Sequence, residues 1–566
     1  MRVIDEPITY PSRHVTIALA NDSQAAILSD YDPVLTPKYL IPAFKHFGGT
    51  WDKTKKAWIL HLFSLPGLVS TLKDLKYDVV VDDDVDAAVD RLREMIALSR
   101  SAEPVAEYHP TGNTRDIVNA ISPDLHPYPF QLAALQFGIQ TNGRCIIADE
   151  QGLGKTIEAI LIAKAFSPER ILIVCPVSVA ENWVREIKTW MGRDAVVWRS
   201  KLGKDVEDIP ILIVSYDSLH RIVYRPEMVI LDESHYFKNP KTRRTKGVFN
   251  KVERAKYVLA LTGTPLVNRP IELWPQWYAV QPKSCPSWWV YAKRYCNAHR
   301  NNFGWDVSGA SNIQELSQLL RTFMLRRTKA QVLPDLPPIV RRVIPIRPDA
   351  PSALIKRIKK LLSEGKEKDI AAVLRAEKKA IHEDILREFS EHAEKKAKLP
   401  EIADFIYNTL SQDDSKIVIF AKHKVMINAL AEILSADGFK YVQITGDTPQ
   451  EKRQYQVDMF TNNPNYRVAI LSLGVAREGL NLQVANHAVM TELDWTPGGL
   501  SQAEARIHRI GQTGSALITY LLYGSFEDIL YKTLVSKVGT IDGVMGNEDA
   551  GGLDLVSALV EQVRGL

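Results

Sequence analysis

The chain has 566 residues, with 71 Lys and Arg against 67 Asp and Glu, a formal charge of +4, and 45% hydrophobic residues. That length exceeds one core and predicts two to four domains, and the composition is that of a globular protein rather than a disordered or fibrous one. No apolar run is long enough to cross a bilayer and no signal peptide opens the chain, so no membrane partner is expected. The charge permits nucleic-acid binding without demanding it, so any basic footprint must be local. The four cysteines, Cys145, Cys175, Cys285 and Cys296, lack paired metal-ligand spacing and read as reduced thiols.

Residues 1–100 read as a small α+β unit. Strands at 14–19 and 26–28 flank an Asn21-Asp22-Ser23 turn, a short helix fits 37–47, and a helix at 65–75 precedes a strand at 77–81. Between them, Trp51-Asp-Lys53-Thr-Lys55-Lys56-Ala-Trp58 predicts two aromatic-bearing strands around a lysine-rich turn. Such a turn suits phosphate contact and base stacking. Trp51 and Trp58 suit a small core equally well, whereas Lys53, Lys55 and Lys56 read as phosphate contacts ahead of a merely solvated turn. A Gly, then Trp-Asp, a basic turn and a second Trp resemble the HARP domain, and that resemblance implies binding to branched or single/double-strand junction DNA. Asp82-Asp-Asp-Val-Asp86 opens a helix to about residue 99, its acids complementing the helix dipole. The Pro- and Gly-bearing stretch 101–121 reads as a linker.

A larger unit, 122–340, begins with Tyr128-Pro-Phe130-Gln131. Gln131 can read an adenine edge in two directions, and Tyr128 or Phe130 can stack on the base. Next comes Cys145-Ile-Ile-Ala-Asp149-Glu-Gln-Gly152-Leu-Gly154-Lys155-Thr156, an apolar strand, a glycine turn and a helix. Backbone N–H groups and the helix N-terminus face an anion there, Lys155 suits the β/γ-phosphates of ATP, and the Thr156 hydroxyl suits Mg²⁺. Asp149 stands where the full pattern asks for a first glycine, and with Gln131, Gly152 and Gly154 it is expected to line the nucleotide. Met228-Val-Ile-Leu-Asp232-Glu233 is a strand ending in two acids: Asp232 suits Mg²⁺, and Glu233 suits orienting and deprotonating water. Strands at 171–175, 211–215 and 257–261 alternate with helical stretches, which builds a doubly wound parallel sheet. Their polar tips, Ser215, Thr262 and Thr264 among them, suit a nucleic-acid backbone.

Residues 341–399 read as helices and 400–540 as a second lobe with no phosphate loop of its own. Thr445-Gly446 ends one of its strands at a backbone-contact turn. Gln502-Ala-Glu-Ala-Arg506-Ile-His-Arg509 predicts a helix with both arginines on one face, suited to phosphate. Residues 541–566 read as a tail with a short helix.

The ordered motifs Asp149–Thr156, Asp232-Glu-Ser-His235, Leu261-Thr-Gly-Thr-Pro265, Leu325-Arg-Arg-Thr-Lys329 and Gln502–Gln512 resemble superfamily-two helicases, specifically Swi/Snf-type ATPases. Arg294–Arg300, Phe303-Gly-Trp305-Asp and Ser308–Asn312 look like the HARP-bearing annealing-helicase branch. The resemblance implies two RecA-like lobes with helical protrusions, ATP held between them, and Gly479 on the second lobe's nucleotide face. It also implies catalytic Lys155, Asp232, Glu233 and Gln502, arginine fingers Arg506 and Arg509, and translocation on duplex or forked DNA. Many relatives carry Gly-Gly before Gly479, where this chain has Ala476-Arg477-Glu478. An RNA-directed helicase and a non-hydrolysing DNA-binding scaffold are the competing readings. The location implied is nucleoid-associated cytoplasm in a bacterial or viral setting, more in keeping with so compact a motor, or the nucleus in a eukaryotic one.

Overall fold

The computed structural model describes residues 14–21, 24–29, 33, 35–101, 124–265, 269–301, 304–346, 360, 399–412, 414–476, 480–494, 497–523, 527 and 530–532. The expected linker, the helices of 347–398 apart from residue 360, and the tail lie outside the described residues, as does Gly479.

The N-terminal unit is a five-stranded sheet of order β3-β4-β2-β1-β5. Its strands are β1 (His14–Asn21), β2 (Gln24–Ser29), β3 (Thr50–Asp52), β4 (Ala57–His61) and β5 (Asp78–Val81). Neighbours run antiparallel except β1 and β5, which are parallel. One face is covered by the helices Ile41–His46, Leu65–Asp74 and Asp83–Ser101, which close a core around Val15, Ile17, Phe44 and Leu68.

The next unit is a seven-stranded, wholly parallel sheet of order β14-β6-β11-β10-β7-β9-β8. The strands are β6 (Arg144–Ile147), β7 (Ile171–Cys175), β8 (Val196–Val197), β9 (Ile211–Ser215), β10 (Met228–Leu231), β11 (Tyr257–Leu261) and β14 (Met324–Leu325). The four central strands β6, β11, β10 and β7 read as continuous apolar runs because both faces are covered, by one core on each side. The strand order places the end of β11 between the ends of β6 and β10. A small hairpin, β12 (His299–Asn301) with β13 (Gly304–Asp306), stands apart from this sheet.

The last unit is a six-stranded parallel sheet of order β15-β20-β19-β16-β18-β17. It comprises β15 (Ile339–Ile346), β16 (Ile417–Ala421), β17 (Lys440–Ile444), β18 (Tyr466–Ser472), β19 (His487–Met490) and β20 (Ala516–Tyr523). Here the boundary expectation is corrected. Residues 339–346, divided at 340 between the first lobe and the helical stretch, form the edge strand of the second sheet instead, pairing residue for residue with β20. The molecule is therefore α/β, with two doubly wound parallel lobes and a small α+β unit in front.

Among the described residues no helix is long and apolar enough to cross a membrane. All four cysteines are unpaired, three of them buried, and the described residues hold no cluster of metal-ligating side chains of the structural type.

Candidate nucleotide site and inter-lobe cleft

The phosphate loop leaves β6 and turns twice through left-handed backbone, at Gly152 (φ 90°) and Gly154 (φ 84°). Each glycine is also required by space. A Cβ on Gly154 would lie 2.6 Å from Gln131 Nε2, and one on Gly152 would lie 3.0 Å from the Cβ of Arg509. Helix Lys155–Phe166 starts at once, and its N-cap Gly154 offers no side chain to its first amides. Those amides face the loop, as an anion cradle requires. The Lys155 ammonium lies back over the loop, donating to the carbonyls of Asp149 at 2.7 Å and Glu150 at 3.2 Å. Thr156 follows in the first helical turn, partly buried.

Two expected nucleotide contacts are otherwise engaged. Asp149 is fully buried, and its carboxylate takes the Arg327 Nε at 3.1 and 3.0 Å and the Nη2 as well. Arg327 also donates from Nη2 to Glu158 at 2.7 Å and from Nη1 to the Phe130 carbonyl. Where the pattern expects a glycine, this loop places a carboxylate that points into the core and anchors a buried guanidinium. Two carboxylates share that one cation. Burial, reinforced by the charge of Asp149, pushes the Glu158 carboxyl well above its ordinary range, against the pull of Arg327. Gln131 is 1% exposed, with Oε1 accepting from the Tyr128 N–H at 3.0 Å and Nε2 donating to the Leu153 carbonyl at 3.1 Å. Its amide therefore fastens a helix start to the phosphate loop, leaving no free edge for adenine. Phe130 is buried, while Tyr128 stacks on it at 5.6 Å with its other face exposed.

At the end of β10, Trp183 Nε1 donates to Asp232 Oδ2 at 2.8 Å, and the Glu233 N–H donates to Oδ1 at 2.9 Å. Burial, then the neighbouring Glu233 charge, raises the Asp232 carboxyl to about 6. Glu233 sits at φ 49°, an unusual conformation for a side chain of this size. Burial alone would raise its carboxyl, but His235, Lys155 and Arg506 outweigh that and hold it below the ordinary range. Its Oε2 lies 3.2 Å from His235 Nδ1, an ion-pair distance without hydrogen-bond alignment. The His235 ring reaches Thr262 Oγ1 at 3.3 Å, and that hydroxyl accepts from the Thr264 N–H at 3.1 Å. Thr262 is fully buried, so its expected DNA contact is replaced by a link from the β11 tip to the base candidate.

The second lobe closes the cleft. Helix Pro497–Glu504 ends before Arg506, so both arginines sit on consecutive turns rather than on the expected helix. The cause lies downstream. The Gln512 amide donates to the carbonyls of Gln483, Ala485 and Ile507, and Gly511 turns through φ 92°. Gln502 acts through its backbone, its carbonyl accepting from Arg506 Nε at 3.1 Å while its side chain is buried. Arg506 is held close enough to Glu233 for each to shift the other's proton affinity. Burial and Arg509 bring the Arg506 guanidinium down to about 10, against the pull of Glu233. Arg509 packs against Gly152, donates to Asn481 and feels Glu186 of the first lobe. A further tie crosses the cleft: Lys329 Nζ donates to the His508 carbonyl at 2.7 Å and lies 3.4 Å from Glu150.

The cleft fits a triphosphate on its own chemistry. Both polar atoms of the Gln151 side chain are buried without a partner beside Gly263, and Glu233 Oε2 is likewise unbonded. The charges of Lys155 and Arg506 act on Glu233, and Arg509 packs on Gly152.

Residues 93–429 match the SNF2-related domain, and residues 394–511 match the helicase conserved C-terminal domain. The first match spans more than half of the chain. The chain belongs to the SNF2-related family. It is therefore a helicase-like ATPase by family.

It is 36% identical over 441 residues to a Mus musculus protein named DNA annealing helicase and endonuclease ZRANB3, covering 73% of this chain and 40% of that one. It is also 36% identical over 420 residues to a Xenopus tropicalis SWI/SNF-related matrix-associated actin-dependent regulator of chromatin subfamily A-like protein 1, covering 72% and 44%. This SNF2-related chain thus spans about two fifths of the length of such curated relatives. A solved Sulfolobus solfataricus SWI2/SNF2 ATPase core in complex with dsDNA aligns with a TM-score of 0.36 at 24% identity, over 75% of this chain and 95% of that one.

The remaining expected nucleic-acid residues of this SNF2-related chain are dispersed. Ser215 at the β9 tip and Thr264 are partly buried; Thr445 is buried and Gly446 exposed. In the N-terminal unit Lys53, Lys55 and Lys56 are all exposed, on a turn fixed by Asp52 Oδ1, which accepts from the N–H groups of Thr54 and Lys55. Trp51 is 50% exposed; Trp58, its cross-strand partner at 5.9 Å, turns toward Phe44 and the core. Sequence reasoning missed Arg327, Lys329 and Trp183. The Leu325–Lys329 motif held the signal for the first two, since adjacent basic residues beside a buried strand need buried partners.

Proposed function

We propose that this chain is an ATP-driven translocase on duplex or branched DNA that anneals or remodels forks. The observation that carries the reading is that buried Arg506 of one lobe comes near enough to Glu233 of the other for their charges to act on each other. Hydrolysis needs both, so closure of the lobes gates chemistry, and a closing and opening cleft is what a translocase needs.

In this reading the amides of the phosphate loop and the Lys155 ammonium bind the β- and γ-phosphates. Thr156 and Asp232 would hold Mg²⁺, which would neutralise phosphate charge. Glu233, ionised at neutral pH, orients the attacking water, with His235, itself held by Thr262, offsetting its charge. Arg506 and Arg509 stabilise charge on the transferred phosphoryl group. Gln131 and Asp149 serve by shaping the loop, and Tyr128 is the side chain open to stack on adenine. The N-terminal unit, with its HARP-like pattern and exposed lysine turn, is the DNA-junction module. The relatives' names, an annealing helicase among them, support DNA over RNA. Those named relatives come from animals, which supports a nuclear location and lends none to a bacterial or viral setting.

The test is ATP turnover of the full chain with duplex, forked and single-stranded DNA and with RNA. Stimulation by duplex-containing DNA is expected. Stimulation by RNA alone would favour the RNA-directed reading, and absence of any turnover would favour a scaffold.

A further inference from the structure

Outside the cleft, one surface combines exposed aromatics with cations. Helix Trp288–Tyr295 carries Trp289 and Lys293 one turn apart, on the same face. The β12–β13 hairpin presents Trp305, whose cross-strand partner is Arg300. Trp289 is 45% exposed and Trp305 49%, yet their rings meet edge to face at 4.9 Å. Lys293 Nζ lies 5.9 Å from the Trp305 ring, and His299 and Arg300 are exposed beside it. Large rings left half in water add little to a core, and here they share one patch with basic side chains.

The patch is held rigidly. Tyr291 on the buried face of the helix donates to the Pro270 carbonyl at 2.7 Å. Arg294 bonds Glu315 and donates to the His46 carbonyl of the N-terminal unit at 2.6 Å. Helix residues Val290 and Arg294 line one cavity of about 180 Å³ together with Thr50 of β3, the strand that carries Trp51. The two aromatic and basic surfaces therefore flank a single junction between units. The one carboxylate in the hairpin, Asp306, is occupied: the Ser308 hydroxyl and N–H both donate to it and hold it below its ordinary range.

We propose that Trp289 and Trp305, flanked by Lys293 and Arg300, form a stacking platform for unpaired nucleotides next to a duplex end. Every base offers a π-face, so such a platform reads the absence of pairing rather than sequence. Cations around the rings hold the strand's phosphates. A duplex buries its base faces and gains nothing from the rings, so the platform selects forks. This inference rests on the DNA-translocase reading above.

The experiment compares the full chain with the Trp289→Ala/Trp305→Ala variant. Anisotropy measures affinity for a blunt duplex and for the same duplex with a single-stranded oligo-dT tail. Loss of stacking should weaken tailed-duplex binding by about tenfold or more, leaving the blunt duplex within about twofold. Trp305→Phe, which keeps a ring, should retain most of the preference. Thermal melting should barely move, because both rings are solvated. An unchanged tailed-duplex affinity, or equal losses on both probes, overturns the platform. If no DNA stimulates wild-type turnover, the translocase reading fails instead, and the two failures are told apart by the wild-type assay. Should the double variant fold poorly, the Trp305→Ala and Trp305→Phe pair answers the same question.

Discussion

Two carboxylates one peptide bond apart are driven in opposite directions at the cleft. Asp232 is raised to about 6 by burial and by Glu233, whereas Glu233 is held low by His235, Lys155 and Arg506. In the proposed mechanism the low one serves as the base at neutral pH and the high one as the Mg²⁺ ligand. For Asp232 the folded state binds its proton more tightly than the unfolded chain does. Without Mg²⁺, its contribution to stability therefore declines as pH rises toward about 6. If Asp232 holds Mg²⁺ as proposed, the ion has to displace that proton, so the Mg²⁺ concentration giving half-maximal turnover should climb as pH falls through about 6. A Mg²⁺ requirement that stays flat across that range would contradict the assignment. A second residue-scale consequence concerns Arg327, fully buried between Asp149 and Glu158. Arg327→Met strands the buried Asp149 carboxylate and leaves the Glu158 carboxyl without its donor, and should cost about 3–5 kcal/mol in urea unfolding. Glu158→Gln, which copies the protonated acid, should cost about 1 kcal/mol or less.

The phosphate loop and its helix depend on backbone that only glycine adopts easily. Gly154→Ala meets both a left-handed φ of 84° and the Gln131 amide at 2.6 Å. ATP affinity should fall by more than about tenfold, a shift of about 1.4 kcal/mol, measured by nucleotide titration. Elements of this kind were legible in the sequence, because strands covered on both faces, such as β6, β10 and β11, are unbroken apolar runs. β15 was not. As an edge strand it carries Arg341, Arg342 and Pro345 with mostly exposed side chains, and its partner β20 begins at Ala516, far along the chain. The turns bearing Arg506 and Arg509 were misread for a related reason: their spacing is helical, while the Gln512 amide that reshapes them acts through distant carbonyls. Asp149 and Gln131 lie at the loop, but their side-chain directions depend on Arg327 and Leu153, which sequence spacing cannot pair.

Across the whole molecule, three bodies meet at two junctions. At the first, Arg294 ties the N-terminal unit to the first lobe and leaves the lysine turn facing outward. Replacing Lys53, Lys55 and Lys56 together by Ala should weaken fork binding and reduce the slope of log affinity against log salt by up to about 3. An unchanged slope would show that this turn does not touch phosphate. At the second junction, Lys329, Arg506 and Arg509 join the lobes over the phosphate loop. In the proposed mechanism, the nearness of buried Arg506 to Glu233 would make ATP chemistry a property of the closed molecule rather than of either lobe. The most direct test is turnover of Arg506→Ala on duplex DNA, with ATP affinity measured alongside. The account predicts a fall in kcat of about 10³-fold or more with ATP still bound; hydrolysis close to the wild-type rate would contradict it.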